Sequence, residues 1–430
     1  MMFSVSQLMQ MQGERAVLEQ IVPMAGREAV EQGLLYVHAL SHYTEPEVVV
    51  PNLLAAAALA APCHVFRLLE LLKRYAGRPT TQVLDTFAAD VGYRWRQLWP
   101  EQDRGPALKA LFGFAQTHPR VHMNLNLGDD REPELVEFTR AVLDVLDSGA
   151  TLIEPQVVFR VRRGVNFEPG SPNHRLLLQA LEIARTRLGV AFAFLDSPLN
   201  VTCSGLVAFT AMGLRVEPWT LDFYTGNRGV TLPARVSINI PLALSYGTQC
   251  LEQNVDVAAR ILAHRLELMG ALYQERSLPL VINCAFLQNL DSSDTVFEVL
   301  QALTRRVREL SREYSLRFVL SSTADLVSFM GTSAAHSRTM SAVLAASMDP
   351  YLPGGHCFTL GGGAHLTRQE LYEQLVHAEH AGVSFVRFLV DDIRCAQCHL
   401  SVAAAGSCPA CGSVERRRIS ESGAHLVEGK

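Results

Sequence analysis

The chain has 430 residues, 48% hydrophobic and 19% charged, with a formal net charge of −5 at pH 7. This is the composition of a well-buried globular protein; it excludes a disordered chain and argues against a protein-wide surface for duplex DNA or anionic membrane. The opening Met1-Met2-Phe3-Ser4-Val5 has neither the charged flank nor the apolar core of a secretory signal. The most apolar run, 48–66, contains Pro51, Asn52, Pro62 and His64, which suit a buried helix of a soluble core better than a membrane span.

In chain order, the first 130 residues read mainly as helices, with apolar helical stretches at 47–74 and 82–97. Helices and strands then alternate. A helix is expected over 135–146, where Val136, Phe138, Val142, Val145 and Leu146 recur at helical spacing, and a strand over 156–162. A helix at 176–188 precedes a compact apolar strand at 190–195. Further helix–strand pairs fall at 255–272 with 280–286, and at 295–310 with 317–320. Thr367 and Glu370 form a capping box before a helix at 371–380, Gly382 closes it, and 383–390 reads as a buried strand. Such alternation defines an α/β protein with a buried sheet or barrel. The expected organisation is a mainly helical part at 1–130, an α/β core at 131–392, a ribbon at 393–414 and a basic, flexible tail at 415–430.

The ribbon carries the most specific signal. Cys395, Cys398, Cys408 and Cys411 form two CxxC knuckles separated by residues 399–407. Each knuckle turns two sulfurs toward one point, and four thiolates complete a tetrahedral shell for a structural Zn²⁺. Nine cysteines, an odd number with four assigned to metal, suit a reducing, cytoplasmic setting rather than a disulfide framework. Cys63, Cys250, Cys284 and Cys357 read as core residues. Gly361-Gly362-Gly363 lacks the Lys and Ser/Thr of a phosphate-binding loop and reads as a tight turn. Arg160, Arg162 and Arg163 read as a solvated strand end.

Several segments, in order, resemble the catalytic subunit of the anaerobic (class III) ribonucleotide reductases. Residues 33–40, GLLYVHAL, are similar to the family's G-x-I-Y-I-H-D-L, with Ala39 where Asp is usual. Residues 159–172 resemble its basic-Gly-hydrophobic-Asn stretch. Gly226-Asn227-Arg228-Gly229 and Val236 to Pro241 resemble its G-R-G-N and T-I-N-L-P elements, and Phe358 to His365 its late F-T-G-G…H segment. The likeness spans roughly residues 30 to 420 and ends on the ribbon, where that family carries its own zinc site.

The resemblance implies a ten-stranded α/β barrel of the pyruvate formate-lyase and ribonucleotide reductase type. It also implies thiyl-radical reduction of ribonucleotides, homodimerisation and activation by a radical-SAM enzyme. It places the radical-bearing thiol at Cys203, in Asn200-Val201-Thr202-Cys203-Ser204-Gly205, and substrate contacts at Asn52, Asn227 and Asn239. Two departures matter. Leu53 stands where many members carry a second cysteine, so a thiol-driven route is closed. Glu421 stands where the radical glycine is usual, and Gly423, two residues later, serves only if the loop is re-registered. The sequence is too short at its N-terminus for the family's nucleotide-sensing cone domain. Three alternatives stay open: a barrel subunit that receives its radical from a separate glycyl-radical protein, a non-catalytic homologue binding nucleotide or a reductase partner, and a zinc-ribbon nucleic-acid adaptor using Arg416-Arg417-Arg418.

Overall fold

The computed structural model describes residues 14–50, 80–84, 101–117, 121–148, 155–186, 189–201, 207–216, 230–270, 276–277, 279–287, 290, 292–323, 341–360, 366–388, 392–395, 416–420 and 423–427. In chain order the strands are β1 (Leu35–Val37), β2 (Val48–Val50), β3 (Thr80–Leu84), β4 (Val121–Leu127), β5 (Gln156–Val161), β6 (Val190–Phe194), β7 (Ala208–Phe209), β8 (Arg215–Val216) and β9 (Val230–Leu232). They continue with β10 (Arg235–Asn239), β11 (Arg276–Ser277), β12 (Leu280–Ala285), β13 (Phe318–Ser321), β14 (Phe358–Leu360), β15 (Phe385–Phe388), β16 (Asp392–Cys395), β17 (Arg416–Ser420) and β18 (Gly423–Val427).

Two mixed sheets organise the molecule. One has the order β1-β10-β12-β13, and the other β11-β9-β2-β3-β4-β5-β6-β15-β14. The run β2 to β6 is parallel, and β9 and β15 flank it antiparallel. A single parallel bridge between Ser322 and His356 joins the β13 and β14 sides. Where one ten-stranded barrel was expected, all the described strands except β7–β8 and β16–β18 divide between these two sheets, and no ladder closes them into one barrel among the described residues.

The outer faces are covered by amphipathic helices. In Ser293–Glu313 the residues Val296, Val299, Leu300, Leu303, Val307 and Leu310 are buried, the three-and-four spacing that gives a helix one apolar stripe. Ser292 caps its start by accepting from the Thr295 amide at 3.1 Å. The capping box at Thr367 and Glu370 is present before Arg368–Ala381, and Gly382, at φ 91°, ends that helix in the left-handed conformation. Helices Pro133–Ser148, His174–Thr186 and Thr248–Gly270 also lie where periodicity placed them. Strand β6 is buried at every position, as a central parallel strand covered on both faces must be.

The first 130 residues correct the helical expectation. Val48–Val50 is a strand, as three β-branched residues packed against both neighbours favour. Thr80–Leu84 is a strand at the edge of the stretch expected to be helical, and Val121–Leu127 is a central strand. The segment expected as a flexible tail also contains strands. β17 pairs antiparallel with β16 and β18, which engages backbone groups that a free tail would leave to water. Among the described residues no helix is long and apolar enough to cross a membrane.

Between the two sheets lies the β7–β8 hairpin. Ala208, Leu214 and Val216 cluster with Val48, Val50 and Leu232 of the larger sheet and with Val281 and Val319 of the smaller one. Val207, Phe209 and Ala211 cluster with Val158, Ala191, Ala193 and Phe385. The hairpin therefore occupies the space that both inner faces share.

Candidate functional site

The inner face of the smaller sheet carries a polar row in an otherwise apolar setting. Register places Tyr36, Ser237, Asn283 and Ser321 side by side across all four strands. Ser237, Asn283 and Ser321 are fully buried. Their alternate neighbours Val236, Ile238, Ile282, Cys284 and Leu320 belong to the helix-side core. Polar groups taken this far from water are tolerable only with hydrogen-bond partners, and here they have them. Asn283 Nδ2 donates to Ser237 Oγ at 3.0 Å, and Asn283 Oδ1 accepts from Ser321 Oγ, Thr323 N and Thr323 Oγ1 at 2.9, 2.8 and 3.0 Å.

His38 and Arg235 extend the row. Arg235 Nη2 lies 3.1 Å from His38 Nδ1, and a guanidinium can only donate, so Nδ1 accepts. The ring proton therefore sits on Nε2 and points at Ser237 Oγ, 2.7 Å away. Arg235 also donates through Nη1 to Thr323 Oγ1 at 2.7 Å and pairs with Glu47 Oε1 at 2.8 Å. Behind His38, Arg265 is fully buried and donates to the carbonyls of His38, His42 and Glu45 at 2.6, 3.4 and 2.9 Å. Burial holds its guanidinium below the usual range. This clamp holds a turn in which Ala39 is left-handed at φ 50°, a conformation an alanine adopts only under constraint.

Opposite this row, β4 grips the hairpin with amides. Asn126 donates to Phe209 O and accepts from Phe209 N, both at 2.9 Å, which reproduces a backbone ladder with a side chain. Asn124 Oδ1 accepts from Ala211 N at 2.5 Å. On its other edge the hairpin bonds to the chain before β14, through Arg215 N to Gly354 O at 2.9 Å. The Arg215 guanidinium donates to Leu199 O at 3.0 Å, and Arg160 donates to Val207 O at 3.2 Å. Both flanks of residues 202–206 are thus fastened by arginines.

That position corrects the reading of the basic cluster. The Arg160 side chain is only 12% exposed and lies 3.6 Å from Asp129, and burial, reinforced by Arg162, pushes its pKa down to about 10. Arg162 pairs with the same Asp129 at 3.3 Å, and Arg163, on the outside, with Glu379 at 2.6 Å. Burial in turn raises Asp129, and it raises the neighbouring Asp130 to about 6 with help from the charges of Asp129 and Glu132.

Of the residues singled out from sequence, Asn239 is buried at the start of the helix Ile240–Ser245, where its side chain accepts from Leu242 N and donates to Gly33 O. Its amide serves as a helix cap. Gly423 is the first residue of β18, paired with Ser420 across the hairpin. Cys395 ends β16 opposite Arg416. Cys203, Asn52, Asn227, Cys398, Cys408, Cys411 and residues 361–363 lie outside the described residues. Cys284 and Cys357 are buried, and burial pushes the Cys284 thiol up to about 12. Sequence reading missed Glu47, Asn124, Asn126, Ser237, Asn283 and Ser321. The signal for β4 was present in Met123-Asn124-Leu125-Asn126-Leu127, an alternation that places both amides on one face.

No protein-family model matches the chain, and no curated protein matches it in sequence. Solved structures do match in fold. An anaerobic ribonucleotide reductase superposes with a TM-score of 0.66 at 12% identity, over 96% of this chain and 82% of that one. The Thermotoga maritima anaerobic ribonucleotide reductase in complex with dATP and CTP gives 0.66 at 10% identity, over 96% and 86%. The class Id ribonucleotide reductase alpha subunit of Actinobacillus ureae gives 0.56 at 10%, over 87% and 92%. The fold is thus that of the ribonucleotide reductases and related enzymes. Within that class, the anaerobic reductases of the glycyl-radical family share it over most of the chain. At these identities the likeness is one of fold.

Proposed function

We propose that the protein is a divergent anaerobic ribonucleotide reductase that binds a ribonucleotide between its two sheets and receives its radical from another chain. The observation that carries this reading is the enclosed polar row facing a hairpin anchored on both edges; in sequence, Cys203 falls shortly ahead of that hairpin. In this reading the two sheets are arcs of the family's barrel. The bonded row of His38, Ser237 and Asn283 forms one wall of the nucleotide site, and Asn124 and Asn126 hold the hairpin. Cys203 takes the ribose 3′ hydrogen, for which a sulfur is suited because S–H and ribose C–H bonds are close in strength. Leu53 closes the route through a second thiol, so reducing equivalents come from a source other than a protein dithiol.

The outside radical is supported by the C-terminus. Glu421 occupies the expected glycine position, and the Gly423 backbone belongs to a strand pair with Ser420. Anaerobic protein treated with a radical-SAM activase and S-adenosylmethionine should give no glycyl doublet by electron paramagnetic resonance. It should reduce CTP only when a separate glycyl-radical protein is added, and Cys203→Ala should abolish that activity. A doublet lost in Gly423→Ala would overturn the outside-radical assignment, and full activity in Cys203→Ala would overturn the thiol assignment.

We also assign the four C-terminal cysteines to a structural Zn²⁺. Thiolates at two CxxC knuckles fit that ion, and pairing of Cys395 with Arg416 brings together the ends of the 396–415 excursion that contains the other three. Elemental analysis should find one zinc per chain, lost in Cys395→Ser.

A further inference from the structure

The hydrogen bonds around His38 end on an acceptor that is left over. Arg235 reaches Glu47 through Nε at 3.0 Å and through Nη2 at 2.8 Å, and both contacts fall on the same oxygen, Oε1. Glu47 Oε2 is buried and has no hydrogen-bond partner. The whole residue is only 7% exposed. A carboxylate oxygen withdrawn from water with no donor is costly, of order 1–3 kcal/mol or more, a cost that a bound donor would relieve.

The surroundings restrict what that donor is. The Glu47 charge is met by Arg235 at 2.8 Å and acts also on the buried Arg265, so the spot does not require a free cation, and a carboxylate oxygen repels an anion. Both ring nitrogens of His38 are already engaged, one by Arg235 and one by Ser237, and among the described residues no group of three His, Cys, Asp or Glu is placed to hold a metal ion. What remains is a neutral O–H or N–H. The spot also belongs to the inner face: Arg235 stands two residues before Ser237 on β10, hence on the same face, and its side chain contacts both Thr323 and Glu47.

We propose that Glu47 is the specificity-determining residue of the interior site, its Oε2 accepting a hydrogen bond from a ribose hydroxyl of the bound nucleotide. The inference rests on the ribonucleotide reading above and adds the group that would separate ribonucleotides from deoxyribonucleotides. A site built around a hydroxyl rejects the analogue that lacks it, because the buried acceptor is then left unpaired.

The test is calorimetric titration of the full chain with CTP, 2′-deoxy-CTP and 3′-deoxy-CTP, for wild type and Glu47→Gln. The variant keeps the shape and an oxygen for Arg235 but replaces the free acceptor with a donor. Wild type should bind one of the two deoxy analogues about 10- to 100-fold more weakly than CTP, the range of a hydrogen bond to a charged group. In Glu47→Gln that ratio should fall about five- to tenfold, since an amide at this position offers the hydroxyl only a neutral hydrogen bond. CTP binding with no discrimination by wild type would overturn the inference and leave the ribonucleotide reading standing, with Oε2 served by an ordered water. Undiminished discrimination in a folded Glu47→Gln would overturn it equally. Failure of wild type to bind CTP would overturn the ribonucleotide reading and this inference with it. The wild-type comparison decides the matter even if the variant does not fold.

Discussion

Gly355→Ala is the sharpest test of how the inner hairpin is seated. Gly355 has φ 114°, and a Cβ placed there would lie 2.1 Å from the carbonyl oxygen of Gly213 and 2.8 Å from the amide of Arg215. Both are backbone atoms at the hairpin turn, so no side-chain rotation relieves the contact. Two costs combine. The left-handed backbone strains any L side chain by about 1–3 kcal/mol. Displacing a packed backbone to admit a methyl group adds about 1–3 kcal/mol more. Together these come to roughly 2–6 kcal/mol, a large part of the ~5–15 kcal/mol that stabilises a typical domain. Gly247 separates the two contributions, because it has φ 103° and nothing within 4 Å of its added Cβ. In urea denaturation followed by tryptophan fluorescence, Gly247→Ala should show the strain alone and Gly355→Ala a distinctly larger shift in midpoint. Equal shifts would mean that the hairpin yields without resistance, and that it is not held between the sheets as described.

Two further outcomes are expected. Arg265→Met should lower stability by about 2–4 kcal/mol, because the carbonyls of His38 and Glu45 lose the donor Arg265 gives them and that of His42 loses one of two, and Arg265→Lys should restore little since one ammonium cannot span them; a thermal melt within two degrees of wild type would refute the clamp. Asp130 is raised from its ordinary 3.8 to about 6, so protonation favours the fold: its contribution is complete below the ordinary value and is lost as pH rises through 6. Asp130→Asn should therefore flatten the pH dependence of stability between pH 4 and 6 by up to about 3 kcal/mol, and an unchanged profile from chemical denaturation would contradict that burial.

The parts of the fold that could be read from sequence are those whose information is local. Ser292 with the stripe from Val296 to Leu310, and the Thr367–Glu370 box with Gly382, each announce a helix within a few turns. Strand β2 was misread because Val48-Val49-Val50 runs into an alanine-rich apolar stretch, and periodicity alone cannot separate a buried strand from a buried helix. The candidate site was less legible still. Tyr36, Ser237, Asn283 and Ser321 meet only because β1, β10, β12 and β13 pair in register, and no short motif spans them. Asn239, whose place in a family-like motif suggested a ligand contact, also has a local role that sequence did not announce: its side chain caps the helix that follows.

The same distinction accounts for a fold shared at 12% identity and a TM-score of 0.66. Outer-face positions such as Val236, Ile282 and Leu320 need only be apolar and about the right size, and substitutions of that kind are tolerated wherever volume is kept. Inner-face positions answer to each other. Replacing Asn126 strands two backbone groups of Phe209, and replacing Asn283 strands Ser237, Ser321 and Thr323 together. Divergence is therefore cheap on one side of each strand and costly on the other. Where the inner face of this chain departs from its relatives, the departure should come in sets of compensating residues rather than singly. Glu47 and Arg235 are one such coupled set: the buried carboxylate has its charge met by the guanidinium at 2.8 Å, so neither can change alone without stranding the other.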